Sequence, residues 1–202
     1  MEPCNKKPIR IRRTDEDLND TLLLAAKDEI LKNGFENTTI TNVLKSANIQ
    51  ITVFHRRYNS LNDLFDKLIR PYDYWLEDNL KFEGDNPSER VINALNNLID
   101  SINGDPFMQQ ILLWEVCSDN YLTRRITTNR DLYFNHCIDR YFDKLNSKMS
   151  ELHNLSSFIV GGIYYFFVTR HKSNQTALAN DISVLKKQIQ SIIIGISLCD
   201  SK

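Results

Sequence analysis

The chain has 202 residues, 42% of them hydrophobic, and its 25 Lys/Arg and 26 Asp/Glu leave a formal net charge of −1. That length buries a proper core without metal or disulfide, and Cys4, Cys117, Cys137 and Cys199 show neither a C-x-x-C pair nor closely spaced His, which suits reduced thiols in a cytoplasmic protein. No apolar stretch follows the basic N-terminus as a signal peptide requires, and the longest apolar run, Phe158 to Val168, is 11 residues, too short to cross a bilayer.

Charge is unevenly placed. Residues 1–70 hold 12 Lys/Arg against 10 Asp/Glu, and the remainder 13 against 16, so the two parts are expected to face different partners. Residues 1–13 carry Lys6, Lys7, Arg10, Arg12 and Arg13 against Glu2 alone, with Pro3 and Pro8 opposing a helix. They read as a cationic arm for phosphates or a minor groove, or equally as a solvated terminus. Thr14 or Asp15 then caps a first long helix with Leu18, Leu22, Ala25, Ala26 and Ile30 on one stripe; Asn33-Gly34 stops it, and Phe35 is a core anchor.

From Thr38 to Leu64 the pattern is helix, tight turn, helix. Thr39 caps a helix with Ile40, Val43, Leu44 and Ala47 at i, i+3, i+4, i+7, and Asn48 supplies a left-handed stop. A short helix from about Ile51 to Tyr58 follows, and Ser60 opens a third with Asp63 at capping-box spacing. No Asp or Glu occurs between Asn37 and Asn62, where Lys45, His55, Arg56 and Arg57 lie. An acid-free cationic helix pair suits a polyanion such as double-stranded DNA, because carboxylates there would be repelled by phosphate. The bland alternative is a helical hairpin with a solvated basic edge.

These residues carry a resemblance. Leu22, Ala25, Ala26, Ile30, Gly34, Phe35, Thr38, Thr39, Ile40, Ala47, Ile49, Thr52, Phe54, Tyr58, Ser60, Asp63, Leu64 and Phe65 resemble the N-terminal signature of the TetR family of bacterial transcriptional regulators. Asn48 stands where that family usually has Gly, Gln50 where Ser commonly caps the recognition helix, His55 where Tyr is usual, and Leu61 where Lys often meets phosphate. The resemblance implies an all-α chain: a helix-turn-helix DNA-binding domain over residues 1–66 and a helical effector-binding and dimerisation domain over 67–202. It also implies DNA-facing roles for Thr39, Lys45, Gln50, Ile51, Thr52, Val53, His55, Arg56 and Arg57, with a palindromic operator as partner.

Beyond residue 66 every segment reads as helix. Pro71 should interrupt the span from Leu61 to Leu80. Gly84-Asp85-Asn86-Pro87 is a turn with Ser88 as the next cap, and Asp105 caps a helix with Pro106 in its first turn. Further helices are expected from about Thr123 to Leu145, Ser150 to His171 and Asp181 to Cys199. In the last, Ile182, Ile189 and Ile196 repeat every seven residues, as do Leu185, Ile192 and Cys199; the helix before it offers Phe158, Gly161, Gly162, Tyr165 and Phe166. This pattern fits either a monomeric core or a homodimer built from these two helices, and the resemblance implies the dimer.

Tyr72, Trp75, Phe107, Trp114 and Tyr133 stand among aromatic residues more numerous than a small core requires, and they are expected to line an effector pocket, with plain core packing as the rival. There is no H-E-x-x-H, G-x-S-x-G, P-loop or dinucleotide fingerprint, so no catalysis, cofactor or metal is expected. Two functions compete: a repressor released by a small-molecule effector, and a DNA-binding protein of the same type regulated by a partner protein.

Overall fold

The computed structural model describes residues 14–142, 150–170 and 174–199, and the regular structure among them is helical throughout. The basic residues Lys6 to Arg13, Cys4, Leu145 and His171 lie outside the described residues, as do the side chains of His153, Ile196 and Cys199.

Local chemistry sets most helix ends. Helix α1 (Asp15–Asn33) opens with a reciprocal capping box between Thr14 and Asp17 and ends at Gly34, whose φ of 78° favours glycine. Helix α2 (Ile40–Ala47) is capped by the Thr39 hydroxyl, and Asn48 stops it in the left-handed region at φ 51°. Helix α3 spans only Ile51–His55, three residues shorter than the pattern suggested, and Gln50 makes no side-chain cap. Helix α4 (Leu61–Ile69) starts on a Ser60/Asp63 capping box. Arg70–Tyr74, which includes Pro71, tightens to a 3-10 turn before α5 (Trp75–Asn79) resumes.

Two starts differ from expectation. Helix α6 (Pro87–Gly104) is capped by Asn86 rather than Ser88, because Pro87 fits the first helical position and the Asn86 side chain reaches the Glu89 N–H at 2.9 Å. Helix α7 (Pro106–Cys117) is capped by Asp105 as expected, and α8 (Tyr121–Phe142) begins where Asn120 accepts from Leu122 and Thr123. Helix α9 covers Ser150–Arg170. Helix α10 covers Gln175–Cys199 and starts six residues before Asp181, since Asn174 caps it and Asp181 instead pairs with Arg170 at 2.8 Å.

Two apolar cores hold these helices. The smaller joins Leu22, Ala25, Ala26, Val43, Ala47, Phe54, Tyr58 and Leu64 of α1–α4. The larger fills the body of α6–α10 and also takes in Ile30, Phe35, Phe65 and Ile69, so α1 and α4 are rooted in the body as well as in the smaller core.

Candidate functional site

The acid-free stretch forms one surface. Phe54 and Tyr58 are buried with rings 5.6 Å apart, and the Tyr58 hydroxyl donates to Asn19 of α1 at 2.5 Å, so α3 is fixed from behind. Burial pushes the Tyr58 hydroxyl above its ordinary pKa. Gln50, Ile51, Thr52, His55 and Arg56 project outward beside Lys45 of α2, while Val53 is half-buried and the exposed Thr39 spends its hydroxyl on the Asn42 N–H. Arg57 departs from the expected phosphate role: it donates to the Val53 carbonyl at 3.1 Å and to Asp15 at 2.5 Å, and so ties α3 to α1. The nearest acid after the turn, Asp63, accepts the Asn59 and Ser60 N–H groups, and the exposed Asp15 carboxylate of α1 meets the C-terminal end of α3 beside Arg56 and Arg57.

A second surface is apolar. On α9, Phe158 is 79% and Tyr165 69% exposed, with Gly161, Gly162 and Thr169 on the same stripe. On α10, Val184, Ile192 and Gly195 are exposed at matching spacing, and a Cβ built on Gly161, Gly162 or Gly195 meets nothing within 4 Å. The expected interface residues therefore divide. Phe158, Gly162, Tyr165 and Ile192 are open to a partner, whereas Phe166, Ile182 and Ile189 are buried in the chain's own core, and Leu185 is half-buried against it. Heptad spacing marked an apolar face but not what covers it, and α6 covers it here.

The five residues expected to line a pocket also separate. Trp114 stacks on Phe35 with centroids 4.1 Å apart, and its indole donates to Glu36 at 3.0 Å; Phe107 is buried beside Phe35 and Tyr72. Tyr133 meets Tyr74 edge to face at 5.0 Å, and Trp75 is half-buried against the larger core. Trp114 alone of the five borders the cavity of about 480 Å³ that lies between the turn after α1 and α7.

Sequence reading missed the polar groups inside the body. Arg130 donates both terminal nitrogens to Glu115, one at 2.8 Å, with both side chains nearly sealed from solvent. Its guanidinium lies 4.8 Å from the centre of the Tyr164 ring, and Arg130 Nε and the Tyr164 hydroxyl are buried without a partner among the described residues. An unpaired buried donor costs about 1–3 kcal/mol, so two together are unusual. Burial pushes the Glu115 carboxyl up, and the opposing effect of Arg130 does not fully offset it. A charged residue amid the apolar run Leu112 to Val116 was the available signal. Nearby, Arg125 of α8 binds Asp66 of α4 and lies 3.6 Å from Asp73 in the 3-10 turn.

No family model matches the sequence, and no curated protein does. Solved structures do match in shape. A transcriptional regulator from Rhodococcus sp. Rha1 superposes with a TM-score of 0.65 at 14% identity, covering 88% of this chain and 95% of its own. NalD of Pseudomonas aeruginosa, described as the secondary repressor of a multidrug efflux pump, gives 0.61 at 12%, covering 89% and 95%. A putative TetR family regulator from Vibrio parahaemolyticus gives 0.52 at 14%, covering 85% and 98%. The chain has the TetR fold. Within that TetR fold, α1–α4 carry the acid-free surface, α9 and α10 carry the apolar stripes, and α7, α8 and α9 enclose the Glu115–Arg130–Tyr164 cluster.

Proposed function

We propose that the chain is a sequence-specific DNA-binding transcriptional repressor that acts as a homodimer and is released by a small-molecule effector held in the α6–α9 body. The exposed face of α3, which has no carboxylate of its own, with Gln50, Thr52, His55 and Arg56 on it and Phe54 and Tyr58 anchoring it from behind, carries this reading. A short helix held so rigidly enters a major groove with its N-terminal residues at base edges. In this reading Gln50 and Thr52 read bases, and Lys45, His55 and Arg56, all exposed, meet phosphate. Similarly folded proteins described as regulators, one of them a repressor, support the same assignment. Pairing of the α9 and α10 stripes gives the dimer two reading heads, which suits a palindromic operator.

The test is selection from a random duplex pool, followed by titration of the enriched and scrambled sequences at several salt concentrations. The enriched palindrome should bind at least about 10³-fold more tightly than the scrambled duplex, and Thr52→Ala should change preference among sequences. Equal affinity for both duplexes would refute sequence-specific binding.

A further inference from the structure

The interior of the α7, α8 and α9 packing holds two hydrogen-bond donors with no acceptor among the described residues: Arg130 Nε and the Tyr164 hydroxyl. They come from different helices, and the guanidinium sits 4.8 Å from the centre of the tyrosine ring, so the two groups share one interior. The same three helices contribute Ile111, Trp114, Ile126, Phe134 and Ile163 to the larger apolar core.

We propose that this cluster is a binding subsite for a neutral, otherwise apolar small molecule, whose carbonyl-type oxygen accepts hydrogen bonds from Arg130 Nε and the Tyr164 hydroxyl. The inference rests on the effector reading above and gives that effector a chemical class. Charge excludes an anion: Glu115 already balances Arg130, both nearly sealed from solvent, and a second carboxylate would leave a buried negative charge unmatched. The raised Glu115 carboxyl agrees, because the site already tolerates negative charge poorly. A carbonyl also fits two donors better than water does. It accepts twice and has no hydrogens of its own to place.

The experiment uses the full chain with three probes of equal chain length, 2-nonanone, nonane and nonanoate, followed by thermal unfolding and titration calorimetry, and repeats them on Tyr164→Phe. The ketone should bind saturably and raise the unfolding midpoint, with nonane and nonanoate much weaker. Tyr164→Phe should weaken ketone binding about ten-fold while leaving the ligand-free midpoint unchanged or higher, since it removes an unpaired buried hydroxyl. A ligand-free midpoint lowered by about 2–4 °C would mean the hydroxyl is already paired, as by a buried water, and would overturn the proposal. So would absence of saturable ketone binding, tighter binding of nonanoate, or equal ketone affinity in both chains. If the ketone binds as expected but operator affinity does not change, the subsite stands and the effector reading falls.

Discussion

At the end of α3, Arg56 projects to solvent while the next side chain, Arg57, turns inward to the Val53 carbonyl and Asp15. The two arginines should therefore fail differently. Arg56→Ala is expected to leave the melting temperature unchanged and to lower the salt slope of DNA binding by about one, the signature of one lost phosphate contact. Arg57→Ala should cost about 1 kcal/mol of stability, because a half-buried hydrogen bond and a pair with an exposed carboxylate are lost, and its salt slope should stay close to native. A slope unchanged by Arg56→Ala would remove that residue from the interface. Asp66 offers a pH readout. Burial pushes its carboxyl up, but hydrogen bonds from Arg70 and Arg125 outweigh this and hold it below the ordinary value. A depressed carboxylate adds stability above its unfolded pKa of about 3.9 and loses it as pH falls through the lower folded value. Unfolding midpoints of native and Asp66→Asn chains should thus differ at pH 7 and converge only as pH falls below the depressed folded value, under about pH 4; a constant gap would show that the ion pairs contribute nothing.

Helices α9 and α10 each present two faces, one sealed by their own chain and one open. Gly162 lies on the open stripe of α9, where an added Cβ meets nothing. Gly162→Leu should accordingly leave protomer stability unchanged or raise it by up to about 1 kcal/mol through better helix propensity, while weakening the dimer in sedimentation experiments. An undiminished dimer would place the interface on another surface. Ile189→Asp, by contrast, puts a charge among buried side chains of the larger core and should unfold the protomer itself, visible as lost helicity at 25 °C. Comparing the two variants separates an interface effect from a folding effect.

Across the whole molecule, polar contacts among the described residues add to the apolar packing that joins α1–α4 to the body. Glu36, in the turn after α1, accepts from Trp114 and Ser118 beyond it, and Arg125 of α8 holds Asp66 and faces Asp73 where Pro71 tightens the chain. Because Ile30, Phe35 and Phe65 lie in the body's core, α1–α4 should not melt separately. Tryptophan fluorescence and helical circular dichroism are expected to lose signal in one coincident transition, and two resolved transitions would contradict this coupling. The same contacts can transmit an effector's preference to α3. Moving a dimer from mostly competent to mostly incompetent needs a differential affinity of about 5.5 kcal/mol, which two sites can share.

Local chemistry made much of the fold legible in the sequence. The helix start at Thr14 or Asp15, the Ser60 capping box, the left-handed Asn48, the Gly34 stop and the break at Pro71 involve residues within four positions of each other, so spacing goes far to specify them; that Thr14 is the cap, in a box with Asp17, came from the structure. The acid-free surface was legible for the same reason, since exclusion of carboxylates from a contiguous stretch needs no tertiary information. Tertiary structure decided what covers each apolar face and where long side chains end. A repeat of seven marks Ile182 and Ile189 as apolar, but only packing against α6 assigns them to the chain's own core and leaves Phe158, Tyr165 and Ile192 open. Arg57 reaches across 42 positions to Asp15, Trp114 across 78 to Glu36, and Arg130 across 15 to Glu115. A flexible side chain's partner is fixed by which helices come to lie side by side, and burial, which gives those polar contacts their energetic weight, exists only once the helices have packed.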